Sequence, residues 1–287
     1  MARNNEDRFG AKTATATGAT APPTTTTGEP AGGLSFATPT EFVDLPSKGR
    51  FYPEGSTLHG RDTIEIRFMT AKEEDILTSK TLLKKGLAVD RMLENIIVDK
   101  NIKLSELLVG DKNALIVAAR ISGYGAEYNT KINCPACMTV EELQFDLDST
   151  KINEGVVDDP LISGPTANGT YQITLPRCKA VAEVKLFTGV EEKKMSQRAA
   201  MRARNKLPET QISDQIRLSI VSVNGDSSQG TINELINNMP AFDSRYLRRV
   251  YGNLMPNVEL KHEFSCTSCG YDAEVEVPFT VEFFWPK

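Results

Sequence analysis

Two Cys-x-x-Cys pairs limit what this chain can fold into: Cys134-Pro-Ala-Cys137 and Cys266-Thr-Ser-Cys269. Each pair lies between stretches that alternate apolar with polar residues. Tyr128–Asn133 and Thr139–Phe145 flank the first, and Val258–Phe264 and Tyr271–Val277 flank the second. Such alternation marks half-buried strands, so each pair is expected at the tip of a β-hairpin. A two-residue spacer lets one turn aim both sulfurs at one ion, and two such turns close a tetrahedral four-thiolate site. Cys134, Cys137, Cys266 and Cys269 are therefore the candidate metal ligands, with one structural Zn2+ per chain as the expected cofactor. Disulfide or redox use is the alternative. A redox pair opens a helix, and neither pair here precedes a helical pattern. Disulfides need an oxidising compartment, and the polar N-terminus lacks the apolar core of a secretory signal. Cys178, outside both pairs, is expected as a small buried apolar side chain.

The pairs stand 128 residues apart, where a compact zinc ribbon has about 15–20. An internal duplication explains this better than an insertion. Moving the second pair back by 132 residues lays Cys266 on Cys134 and Cys269 on Cys137, and carries Asp243 onto Asp111 and Leu247 onto Leu115. The expected fold is α+β, with two pseudo-repeated helical and strand halves, residues 41–150 and 151–287. A split four-cysteine zinc ribbon of two knuckle hairpins joins them, the metal between the halves. Residues 1–40 form a low-complexity arm without the apolar content to fold alone. It is expected to order on a neighbouring subunit, with Phe9 and Phe36 as its aromatic anchors.

Along the first half, a strand at 63–69 leads into a helix capped by Thr70, where Glu73 completes a capping box. That helix runs towards Gly86, which stops it. A second helix spans 88–99 with Met92, Leu93, Ile96 and Ile97 on one face. A turn at 104–108 precedes a helix opened by Asp111. The second half offers strands at 171–175 and 181–187, then a helix over 190–206 that is basic in its second part. A helix capped by Ser213, a turn at 231–238 and a helix over 241–253 follow. Residues 148–170 read as a linker.

The net charge of −5 and the single Trp give no general attraction for nucleic acid and no stacking platform. The basic part of the 190–206 helix reads as a solvated face or one docked on an acidic partner. No apolar run reaches the ~20 residues of a membrane helix. The chain holds two histidines, His59 and His262, and a four-thiolate site leaves no open position for substrate. Nothing here argues for catalysis.

Read together, Leu45-Pro-Ser-Lys-Gly-Arg-Phe-Tyr-Pro53, Ile64-Glu-Ile-Arg-Phe-Met-Thr-Ala-Lys-Glu-Glu-Asp-Ile-Leu77, Leu108-Val-Gly-Asp-Lys-Asn113 and Cys134-Pro-Ala-Cys137 follow in order. Over about residues 41–150 the chain resembles the baseplate hub subunit family of T-even-type contractile-tailed bacteriophages. The resemblance implies a non-catalytic tail protein, assembled in the host cytoplasm and carried in the virion, whose partners are other baseplate and tail proteins. An assembly chaperone absent from the finished particle is the alternative, as is a regulatory zinc ribbon that binds nucleic acid. One departure stands out: Met138 follows the first pair, where Gly270 follows the second.

Overall fold

The computed structural model describes residues 38–276 and 281–284. The expectations for the arm up to residue 37, including Phe9 and Phe36, lie outside the described residues. Strands β1 (Thr40–Asp44) and β2 (Thr63–Arg67) pair antiparallel, Val43 opposite Ile64. The turn-rich chain between them folds inward and buries Leu45, Phe51, Tyr52 and Leu58. Helix α1 (Ala71–Thr78) opens on the expected capping box: Glu73 Oε2 accepts from the Thr70 N–H at 3.0 Å and from its hydroxyl at 2.8 Å. The same carboxylate takes Arg67 from the end of β2, at 2.6 Å. The helix does not continue to Gly86. Ser79 turns extended (ψ 108°) and separates α1 from α2 (Lys80–Lys84). Thr78 donates its hydroxyl back to the Glu74 carbonyl, competition typical of Thr and Ser inside helices. Helix α3 (Ala88–Ile96) buries Met92, Leu93 and Ile96 as expected.

Helix α4 (Val109–Tyr124) begins two residues before Asp111, so Asp111 is not its cap. Its carboxylate is fully buried and clamps the β1–β2 connection instead, accepting from the Ser47 N–H (3.0 Å), the Ser47 hydroxyl (2.6 Å) and the Tyr52 hydroxyl (2.6 Å). Strands β3 (Glu127–Asn133) and β4 (Val140–Asp146) form the first knuckle hairpin. The expected linker is partly ordered as β5 (Lys151–Asn153) and β6 (Ile162–Ser163); strands this short carry no periodicity to read.

In the second half, β7 (Thr170–Thr174), β8 (Val181–Lys185) and β9 (Ile220–Val223) complete an antiparallel sheet in the order β6-β7-β8-β9. Cys178 lies in the tight β7–β8 turn and is exposed, correcting the expectation of a buried side chain. Helix α5 (Gly189–Arg204) has its own capping box, in which Glu191 accepts from the Thr188 hydroxyl at 2.6 Å and pairs with Lys185 at 2.8 Å. Helix α6 (Gln211–Ser219) follows Thr210, not Ser213, and the Thr210 hydroxyl donates to Asp214. Part of the basic run on α5 is neutralised here, since Arg198 and Arg202 meet Asp214 at 3.2 and 3.7 Å. The expected turn at 231–238 is helix α7 (Gln229–Asn238), capped by the Ser228 hydroxyl. Helix α8 (Ala241–Leu254) leads to β10 (Asn257–Glu259), which pairs with β5, and then to the second knuckle hairpin, β11 (Lys261–Ser265) and β12 (Asp272–Glu276).

One apolar core runs through both halves, so a metal is not needed to join them. Phe51 meets Tyr171 with ring centroids 5.9 Å apart. The Val109 N–H donates to Phe187 O and the Gly189 N–H to Leu107 O, each at 3.0 Å. Lys112 on α4 bridges Asp90 on α3 and Glu192 on α5, both at 2.8 Å. Gly110 brings α4 against the Pro256 carbonyl so closely that no Cβ fits, which sets where the second knuckle leaves the body. Arg120 is fully buried and donates to three carbonyls, of Phe283, Gly125 and Glu127.

Candidate metal centre

Both knuckles close with the same turn. The Cys134 N–H donates to Thr139 O (2.8 Å) and the Met138 N–H to Cys134 O (2.9 Å); the Cys266 N–H donates to Tyr271 O and the Gly270 N–H to Cys266 O, both at 2.9 Å. Each turn needs a left-handed residue just after the second cysteine. Gly270 takes it at φ 68° and Met138 at φ 62°, a conformation that is costly for a residue with a side chain. The glycine missing from the first pair therefore does not change the turn.

The two turns face each other. Cys134 Sγ lies 3.7 Å from Cys269 Sγ, and Cys137 Sγ lies 3.7 Å from Cys266 Sγ. All four sulfurs fall within 4.8 Å of one another. Metal–sulfur bonds of about 2.3 Å at tetrahedral angles place sulfurs about 3.8 Å apart, whereas a disulfide needs about 2.05 Å. The arrangement fits an ion and not two disulfides. Cys134 and Cys266 are buried, while Cys137 and Cys269 sit at the surface. Phe264 packs with the buried pair, and Val275 lies against them, in a small cluster separate from the main core.

The surroundings bear on the protonation of the sulfurs. Cys137 Sγ is 3.2 Å from Thr139 Oγ1, and hydrogen bonding from that hydroxyl, with the Thr139 N–H, lowers the thiol pKa to about 6. Although the Tyr271 backbone favours its thiolate, the neighbouring Cys137 thiol and burial push Cys269 up to about 12. Burial also raises Cys266. Four thiols this close cannot all ionise unaided, and a divalent cation would draw off the protons. Glu141 on β4 reaches across to the other knuckle, accepting from the Thr267 hydroxyl at 2.7 Å and its N–H at 3.2 Å. Those hydrogen bonds, the hydroxyl's first, hold Glu141 below the usual carboxylate range. Sequence reasoning finds the sulfurs but not Glu141, Thr139 or Thr267, because no spacing rule marks such supporting groups.

Among the described residues this is the one group of His, Cys, Asp or Glu side chains gathered closely enough to hold a metal. His59 Nδ1 instead lies 2.7 Å from Tyr52 O. His262 faces Val275 in the β11–β12 register, and its side chain lies outside the described residues. No described helix is long and apolar enough to cross a membrane.

Searches of curated proteins and of solved structures each return no match. A family model described as T4 bacteriophage base plate protein matches residues 38–285, spanning both knuckles and the whole body between them. The chain is therefore a member of the T4 bacteriophage base plate protein family.

Proposed function

We propose that this chain is a structural subunit of the phage baseplate hub, without a catalytic step, built from a duplicated unit and stiffened by one zinc ion held by Cys134, Cys137, Cys266 and Cys269. Several parallels between the halves support the duplication. Each half contains an antiparallel hairpin whose second strand ends on a cation, Arg67 or Lys185, paired with the glutamate of the Thr-x-x-Glu box that follows. Each later has a long helix with a fully buried aspartate at its third position, Asp111 or Asp243. Both aspartates accept backbone N–H groups from the connection within their own half's hairpin: Ser47 for Asp111, and Arg177 and Cys178 (2.8 Å each) for Asp243. Each of those helices then runs into a Cys-x-x-Cys hairpin.

The convergence of four sulfurs from hairpins 128 residues apart carries the zinc reading. The first hairpin is rooted in the main core through Tyr128 and Phe145, but the cysteine-bearing ends of both hairpins stand outside it, and their own apolar cluster is too small to fix one against the other. A closed four-thiolate zinc site contributes about 10–16 kcal/mol of apparent folding energy in small peptides. That is ample to make the tip a rigid contact surface for baseplate and tail partners. Family membership supports a baseplate protein; the hub assignment rests on the motif order in the first half.

The test is elemental analysis and quantitative mass spectrometry of purified, DNA-free tails, with the recombinant chain alongside. The expected result is about one zinc per chain in reduced protein, lost in Cys134→Ser, and the chain present at fixed stoichiometry at the centre of the baseplate. Metal-free reduced protein overturns the zinc site. A chain found in assembly intermediates and missing from finished tails assigns it to the chaperone role.

A further inference from the structure

The hairpins of the two halves differ in one respect that bears on assembly. In β1–β2, Leu45 donates to Asp62 O and Pro39 O accepts from Phe68, so residues 39, 41, 43 and 45 face β2 with their backbone groups. Thr40, Phe42 and Asp44 therefore turn their N–H and C=O groups to the other edge. In β7–β8, Leu175 donates to Ala180 O, which turns Thr170, Gln172 and Thr174 outward in the same way. There the outer edge is covered. The Thr174 N–H donates to Leu161 O at 2.8 Å, Thr170 O accepts from the Thr166 N–H at 2.9 Å, and β6 pairs alongside. Among the described residues nothing pairs with the outer edge of β1. Phe42, at its centre, is 69 % exposed, where β7 carries the polar Gln172.

We propose that this edge pairs with β1 of a second copy of the chain, antiparallel about a twofold axis at Phe42, making one four-stranded sheet in the order β2-β1-β1-β2. The residue pattern is self-complementary in that register. Phe42 meets Phe42 of the second copy as a directly opposed pair, and aromatic cross-strand pairs are favourable. Thr40 meets Asp44, a hydroxyl beside a carboxylate, so no like charges are opposed on the joined strands. One strand further out, Arg67 stands beside Thr40 and thus on the same row as Asp44 of the second copy. The two outward rows exchange their free N–H and C=O groups, and the exposed rings leave water. An edge of five residues buries less than a standard interface, so the dimer is weak. The comparison of the two hairpins draws on the proposed duplication, but the pairing does not depend on zinc, and the two can fail separately.

Sedimentation velocity of the full chain from about 1 to 300 µM tests this, since that range brackets a weak dimer. The wild type is expected to pass from monomer to dimer. Phe42→Pro removes an N–H that makes no bond within β1–β2, so it should weaken the dimer at least tenfold while the circular dichroism stays unchanged. Phe42→Lys and Phe42→Asp should each be monomeric, and their equimolar mixture should dimerise again, because position 42 faces itself across the axis. A wild type that stays monomeric overturns the proposal. So does a Phe42→Pro dimer as tight as the wild type, or a mixture that stays monomeric, which would mean that another partner covers this edge.

Discussion

Replacing Glu73 by Gln should remove a pH-dependent part of the stability. The Glu73 side chain is fully buried and its two oxygens meet Arg67 at 2.6 and 3.0 Å, with the Thr70 N–H and hydroxyl on the second. Burial alone would raise its pKa, but the Arg67 and Thr70 hydrogen bonds outweigh it and hold the carboxyl at about 2, against an ordinary 4.5. At roughly 1.4 kcal/mol per unit, that drop amounts to about 3 kcal/mol. Because the folded value is depressed, the contribution is complete above pH 4.5 and is lost as the pH falls towards 2. The glutamine variant should therefore unfold about 3 kcal/mol more easily at pH 7, with the gap to wild type closing between those limits. Denaturant unfolding of both proteins across that range measures the gap. Any metal released in acid is released from both proteins and cancels in the difference. A gap that is equally wide at pH 7 and near pH 2 would refute the argument, since it would come from shape and not from charge. Glu191, with its pKa also lowered, should behave with the same sign in the second half.

Gly110→Ala forces a Cβ into the Pro256 carbonyl and should cost about 3 kcal/mol, read as a fall in Tm of roughly 6–12 °C. Met138→Gly relieves a left-handed methionine that is 70 % exposed and should add about 1 kcal/mol, with metal content unchanged by elemental analysis. Cys178→Ser should leave metal content as it is, because Cys178 is exposed and is not one of the four gathered sulfurs, and a serine hydroxyl can still bond Asp243; loss of metal in that variant would contradict the ligand set.

The knuckle hairpins are legible in the sequence because their strands lie half in water, so alternation survives in the residue order. The Thr70–Glu73 box is legible for a similar reason, being a local hydrogen-bond pattern with a fixed spacing. The equivalent Thr188–Glu191 box has the same spacing, yet its glutamate is the first of a run of charges, Glu191–Lys194, that hides it. Asp111 and Asp243 align at the constant offset, but their use as hairpin clamps depends on partners 59 to 66 residues away, which no local rule reaches. Helix α7 reads as a turn because Thr231, Asn233, Asn237 and Asn238 are weak helix formers, and its cap and the buried Ile232 decide the matter. The extent of the shared core is likewise invisible from composition, since it depends on side chains far apart in sequence, such as Phe51 and Tyr171, meeting across the halves.

Because the second cysteine pair is 128 residues downstream of the first, the cluster is also ordered in time. At ribosomal speeds of about 5–20 residues per second, the first hairpin is exposed for roughly 6–25 s before its counterpart is made. Throughout that interval Cys134, destined to be buried, and Cys137 have only each other as thiol neighbours. A pair of sulfurs holds a metal far less firmly than four, so an ion bound there would be locked in only after translation has passed Cys269 and the body between the knuckles has closed. A filled cluster would thus mark a chain made at least that far, and a molecule truncated anywhere before Cys266 would carry no such mark into assembly.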